Sequence, residues 1–217
     1  MDGLLTNLDY ELVKLETTNK AEYEILKIIT KEFRDTLSTK LPSQPALVTP
    51  LTFDLDESKW HIRRNQQAAR RQSLQKDAAI QEMTNELLNT KVVSRSPTAQ
   101  GWSQVHLARK PNGKWRYCID FRVLNLLLTL IGWLLPRIKE MITRIGYNKP
   151  KYFGKIDLTS GYHQMPLAAG SRKYTAFRTS HGLFEWNRVP MGIKQAAAYF
   201  QMQMAQILHE RLGKGIE

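Results

Sequence analysis

The sequence predicts an α+β fold, and three observations predict it. Leu26, Ile29, Phe33 and Leu37 recur at helical spacing through a charged leading segment. Around Pro111-Asn112-Gly113 the apolar period shortens to two, with Val105 and Leu107 before the turn and Trp115, Tyr117, Ile119 and Phe121 after it. Beyond Gly192 the helical period returns through Ala196, Phe200, Met204, Ile207 and Leu208. Hairpin-joined strands flanked by helices are the mark of that class.

Taken in order, the first helix ends near Leu41-Pro42, and Pro42, Pro45 and Pro50 mark an extended linker. From about Asn65 to Asn89 the chain is rich in Gln, Ala, Arg and Leu, with Ile80, Met83 and Leu87 on one face, which predicts a second helix. The 105–121 hairpin places Arg116, Cys118, Asp120 and Arg122 on the face opposite its apolar residues. Further strands are expected at Tyr152–Leu158, His163–Leu167, Tyr174–Thr179 and Leu183–Asn187, with Gly182 as the turn between the last two. No internal repeat is present.

Composition narrows the function. The 217 residues carry a net charge of +12. Residues 1–100 hold 14 Lys+Arg and 14 Asp+Glu, whereas residues 101–217 hold 18 and 6, so the excess lies in the second half. A one-sided basic half suits a polyanion partner, because phosphate neutralisation releases counterions. A merely soluble basic domain would show the same balance. Cys118 is a single cysteine, which excludes an intramolecular disulfide and fits a reducing, intracellular setting. No secretory leader opens the chain. The apolar run Val123–Leu135 is interrupted by Asn125, Thr129 and Gly132 and falls short of the ~20 residues that span a bilayer, so no membrane partner is expected. Histidines 61, 106, 163, 181 and 209 lack zinc spacing, and no phosphate-binding Gly-rich loop occurs.

Asp157 closes an expected strand and precedes the turn-prone Thr159-Ser160-Gly161. A carboxylate displayed there suits a hard cation such as Mg²⁺, although most such aspartates cap a turn. Its surroundings are more specific. Residues 151–167 read KYFGKIDLTSGYHQMPL, 173–192 read KYTAFRTSHGLFEWNRVPMG, 115–125 read WRYCIDFRVLN, and 135–141 read LPRIKEM. With YFQ at 199–201, EFRDTLSTKLP at 32–42 and PLTFDLDES at 50–58, these blocks fall in the order found in gypsy-like long-terminal-repeat retroelement reverse transcriptases. The resemblance covers roughly residues 30–209.

That resemblance implies reverse-transcriptase-like fingers and a partial palm behind a helical N-terminal leader. The implied boundaries are 1–60 for the leader and linker, 61–131 and 165–195 for the fingers, and 132–164 and 196–217 for the palm. Asp157 resembles the first catalytic aspartate, which helps hold paired Mg²⁺ ions, and Tyr162 the aromatic residue beneath the incoming sugar. Arg116 resembles the hairpin arginine that grips the nucleotide triphosphate, and Lys110 its companion across the turn. Met191 and Gly192 occupy the motif that contacts the nascent base pair. Asp120 and Arg122 match an Asp-aromatic-Arg signature, expected to be paired with each other or to touch template. Gln164 and Arg178 would line the template path. For Arg116 and Lys110 a solvated strand charge remains the plain alternative, and for Tyr162 a place in the core. Trp115 and Trp186 suit either base stacking or ordinary packing. The implied partners are RNA or DNA template–primer and deoxynucleotides.

The sequence also departs from that pattern. No aspartate follows Asp157, and the later acids are only Glu185, Glu210 and Glu217. One carboxylate cannot hold two Mg²⁺ ions about 4 Å apart, so the chain alone is expected not to polymerise and to be a truncated form. Leu134 stands where the family has proline, and Gln195-Ala196-Ala197 replaces a proline-bearing helix start. The leucines of 126–135 would form a strand-prone surface unless covered. Two other functions compete: a non-catalytic nucleic-acid-binding module, and a small α+β protein that docks partners through 123–135.

Overall fold

A computed structural model describes residues 19–61, 63–134, 136–151 and 153–216. The chain divides into two units: residues up to Leu41 with Asp157–Thr159, and Pro42–Ile156 with Ser160–Glu217. In the first, helix α1 (Lys20–Glu32) starts where the Asn19 side chain accepts the Ala21 amide, satisfying one of its orphan donors. Its apolar stripe is exposed at Ile25, Ile28 and Phe33. Thr159 Oγ1 donates to the Ser38 carbonyl at 2.8 Å within the same unit.

The second unit is built on a five-stranded sheet in the order β1-β5-β4-β2-β3. Its strands are β1 (Val93–Arg95), β2 (Ser103–Arg109), β3 (Trp115–Ile119), β4 (Phe177–Thr179) and β5 (Gly182–Trp186). All pairings are antiparallel except β2 with β4, where Ser103 faces Phe177 and Gln104 faces Arg178. The expected hairpin forms with Val105 opposite Ile119 and Leu107 opposite Tyr117. Val105 and Leu107 are buried, which is what the alternation required. Gly182 takes φ +144° and opens β5 directly after the Ser180-His181 turn, a conformation open to glycine.

The helices of this unit are α2 (Glu57–Trp60), α3 (Leu74–Asn89), α4 (Arg122–Leu127), α5 (Ile138–Asn148), α6 (Gly161–Gln164), α7 (Ala169–Arg172) and α8 (Ala196–Ile207), of which α3 packs on β1 and β3. Ser73 caps α3, which buries Ile80 and Thr84. The Thr84 hydroxyl meets the Tyr117 phenol at 2.9 Å and ties α3 to β3, and burial pushes that phenol's pKa up. The fully buried Phe177 packs against Tyr117, Phe184 and Trp186. Trp60, 1% exposed, lies so close to Gly101 that a β-carbon there would stand 2.9 Å from its indole nitrogen. Only glycine leaves that room.

Several expectations are corrected. The second helix begins at Leu74, not Asn65; Arg63–Gln66 form a 3₁₀ turn and residues 67–72 are irregular, tied to β2 by the Gln72 and Gln104 side chains in place of helical hydrogen bonds. Tyr152 lies outside the described residues, and 153–158 form no strand, having no ladder partner. The expected strand at His163–Leu167 is instead the turn of α6 followed by isolated bridges at Pro166 and Leu167. Of Tyr174–Thr179 only the last three residues are strand, since Lys173–Thr175 coil into a 3₁₀ turn. Strand β3 stops at Ile119, so Phe121 and Arg122 start α4, and the leucine-rich run is helical up to Leu127. Leu126, Leu130 and Leu134 are nevertheless exposed, and Leu135 lies outside the described residues. Helix α8 buries Ala196, Tyr199 and Gln203, a face one step round from the expected stripe.

Candidate nucleic-acid interface

The hairpin loop shapes the first part of the site. Lys110 N donates to the Lys114 carbonyl at 2.8 Å, and Gly113 N to the Lys110 carbonyl at 2.9 Å. Gly113 sits at φ +78°, where a β-carbon would strain the turn. Lys110 and Arg116 are both exposed on this arm, with Arg116 opposite Ala108. Trp115 lies under the Arg109 guanidinium at 4.8 Å and near the Lys76 ammonium at 5.8 Å, so it serves the packing of the hairpin. Trp186 is 4% exposed and belongs to the core, out of reach of any base.

Past the hairpin, Asp120 and Arg122 form the pair expected of them. Arg122 donates from Nε to Oδ1 at 2.7 Å and from Nη2 to Oδ2 at 2.6 Å. That fork fits the carboxylate in two places, and its hydrogen bonds raise the guanidinium pKa. Between the two residues Phe121 turns inward, 2% exposed. One turn later, Asn125 donates to the Gly192 carbonyl at 2.8 Å and accepts the Lys194 amide at 2.8 Å. Lys194 Nζ and Gln195 Nε2 donate to the Leu128 and Thr129 carbonyls, which follow α4. Gly192, at φ +91°, is thus fixed beside Phe121, while Met191 next to it is 66% exposed.

These elements enclose an open cleft of about 680 Å³. It is lined by the polar Arg70, Lys76, His106 and Arg122, by Ile119 and the largely buried Leu107 and Phe121, and by Gly192. Of the residues singled out in the sequence, the cleft gathers Asp120, Arg122 and Gly192, while Arg116 and Lys110 lie further along the hairpin. Arg178 stacks on Trp102 at 5.1 Å, across the sheet from Gln104. Tyr162 meets Phe200 edge-to-face at 5.4 Å, and the Gln164 carbonyl accepts the Ala46 amide at 2.7 Å. Below them His163 packs on Trp186 at 5.2 Å. Burial, with the Arg188 charge beside it, lowers the His163 pKa to about 4. Arg188 donates to the His163 and Ser43 carbonyls.

Asp157 is exposed on irregular backbone and belongs to the leading unit. A paired-cation centre needs several carboxylates together. Among the described residues no three His, Cys, Asp or Glu side chains cluster, so they do not by themselves fit a two-Mg²⁺ site. Sequence reasoning missed Asn125, Arg70 and Lys76. Asn125 was signalled as the one polar residue among Val123–Leu128; Arg70 carried no signal, because only the contacts of 67–72 with Gln104 bring it to the hairpin.

The reverse transcriptase (RNA-dependent DNA polymerase) family matches residues 108–214. The retrovirus-related Pol polyprotein from transposon 412 of Drosophila melanogaster is 37% identical over 130 residues, which is 58% of this chain and 10% of that one. The corresponding polyprotein from transposon gypsy is 37% identical over 48% of this chain and 10% of its own length. The chain therefore spans only about a tenth of these relatives. Among solved structures, the foamy viral protease-reverse transcriptase in complex with RNA/DNA hybrid superposes with a TM-score of 0.74 at 21% identity, covering 94% of this chain and 27% of that one. The complex with double-stranded DNA gives 0.72 at 22% identity, covering 93% and 35%. No described helix is long and apolar enough to cross a membrane. Ordered motif blocks, the fold and these relatives converge: residues 108–214 belong to the reverse transcriptase family, and the chain is similar to its gypsy-like retrotransposon members.

Proposed function

We propose that these residues supply the fingers and the first palm carboxylate of an RNA-directed DNA polymerase that takes an RNA or DNA template–primer and deoxynucleotides. The carrying observation is the cleft that the Asp120–Arg122 pair and Gly192 line together with Arg70 and Lys76. In this reading residues 61–131 and 165–195 are fingers, 132–164 and 196–217 are palm, and 1–60 lead into them. Arg116 and Lys110 would grip the triphosphate, Tyr162 would lie under the sugar, and Met191 with Gly192 would face the nascent pair. Gln164 and Arg178 would line the template. Asp157 would contribute one ligand to a Mg²⁺ centre; the metal's chemistry needs further carboxylates, so a polypeptide of these 217 residues binds without polymerising. The test is primer extension with Mg²⁺ beside a binding titration on the purified chain. Salt-sensitive binding without extension is expected. Extension that is lost in Asp157→Ala would overturn the inactivity, and absent binding would overturn the reading as a whole.

The concentration of positive charge in residues 101–217 favours a second reading, a nucleic-acid-binding module with no catalytic part. It shares the salt dependence. It differs in predicting no affinity for deoxynucleotides at the hairpin, so triphosphate binding lost in Arg116→Ala decides for the polymerase.

A further inference from the structure

Arg188 lies two residues beyond β5 and is 2% exposed. Among the described residues it forms no ion pair with a carboxylate. A buried cation is costly to keep unless polar groups meet it, and burial lowers its pKa. Two carbonyls meet this one. Nη1 donates to the His163 carbonyl at 3.1 Å and Nη2 to the Ser43 carbonyl at 2.7 Å. One acceptor belongs to α6, the other to the segment after Pro42, which lies ahead of the residues matched by the family.

Helix α6 depends on such outside support. It has four residues, a single turn, and a helix that short has no cooperative stability of its own. Its last carbonyls also lack partners within the helix. Each finds one elsewhere: Met165 N donates to the Tyr162 carbonyl at 3.0 Å, Arg188 to that of His163, and Ala46 N to that of Gln164 at 2.7 Å. Tyr162 rides on this turn, half-buried, with its ring against Phe200 of α8. A lysine at 188 would keep the charge but lose the planar fork that meets two carbonyls at once. An apolar residue would fill the space and leave both carbonyls short of a donor.

We propose that Arg188 is a positioning residue for sugar selection: its fork ties the segment at Ser43 to α6 and so fixes the ring of Tyr162. The inference rests on the reading of Tyr162 beneath the incoming sugar and adds what holds it there. Bulk excludes a 2′-hydroxyl only while the ring stays in place. A ring on a frayed turn can swing aside and admit the extra oxygen, so Arg188 acts through Tyr162 without touching the nucleotide.

The experiment titrates the full chain, on a template–primer, with the matched deoxynucleoside triphosphate and with its ribonucleoside counterpart. The readout is the ratio of the two dissociation constants, taken beside a urea titration of each variant. The native chain is expected to favour the deoxy form, and Tyr162→Ala to abolish that preference. Arg188→Met should cut the preference roughly fivefold, within the range that pocket shape alone supplies. Arg188→Lys, which keeps the charge, should give a smaller loss and carries the test if the Met variant does not fold. A role in packing alone would weaken both affinities by one factor, since only the folded fraction binds, and would leave the ratio unchanged. An unchanged ratio in Arg188→Met, or full preference in Arg188→Lys, would overturn the inference while Tyr162→Ala kept the polymerase reading standing. No effect of Tyr162→Ala on the ratio, or no triphosphate binding by the native chain, would remove that reading and the inference with it.

Discussion

The β2–β3 hairpin and the segment 153–158 look similar in sequence, for both place apolar residues among polar ones near a turn. In the structure they differ sharply. Each residue of Trp115–Ile119 faces a partner on β2, and Thr84 and Phe177 close over Tyr117. Residues 153–158 have no ladder partner, and Phe153 and Ile156 are 77% and 88% exposed. Alternation states which face a strand would bury, whereas a strand exists only where a second backbone meets its amides and carbonyls. The hairpin carries its partner a few residues away, and 153–158 does not.

If that contrast is sound, stability should concentrate in the sheet. The largest effect is expected at Phe177, fully buried against three rings: Phe177→Ala should cost about 3–5 kcal/mol in a urea titration. The next concerns pH. His163 has its pKa lowered to about 4 in the folded chain, and unfolding restores a value near 6.5. Between those limits the unfolded chain binds a proton that the folded chain refuses, so stability is intact above pH 6.5 and falls as the pH drops toward 4. The loss should approach about 3 kcal/mol, and His163→Phe should flatten the curve. Third, Gly101→Ala forces a β-carbon against the Trp60 indole and should cost about 1–3 kcal/mol, read from the same titration. A mild result there would mean that Trp60 can shift and that the floor beneath β2 is loosely built.

What the sequence made legible followed from periodicity and local turns. The hairpin was readable because Val105, Leu107, Tyr117 and Ile119 alternate around Pro111-Asn112-Gly113, and β5 because Gly182 announces its start. The helix expected from Asn65 failed because Gln, Ala and Arg favour helix only in isolation. Here Gln66, Gln72, Trp102 and Gln104 trade hydrogen bonds across more than thirty residues of sequence, and these tertiary bonds outweigh propensity. Of the site, the Asp120–Arg122 pair was one of two roles, pairing or template contact, that the Asp-aromatic-Arg resemblance implied. The link from Asn125 to Gly192 spans 67 residues and could not be. The motif blocks identified the residues that chemistry would use, but not the contacts of 67–72 that bring Arg70 beside them.

The smallest expected effect tests the other side of the comparison. Phe153→Ser and Ile156→Ser exchange large apolar side chains for a hydroxyl at positions already open to solvent, so no burial is lost and no cavity forms. Each should leave stability within about 0.5 kcal/mol, the range of ordinary surface changes. They should also reduce any concentration-dependent association of the chain, because exposed apolar surface is what draws copies together. The two readouts are independent, a urea midpoint and a sedimentation profile against concentration. A loss of stability like that of Phe177→Ala would mean that residues 153–156 are packed in solution. The hairpin would then no longer be distinguished from them by burial, and the expected strand at 152–158 would return as the better description.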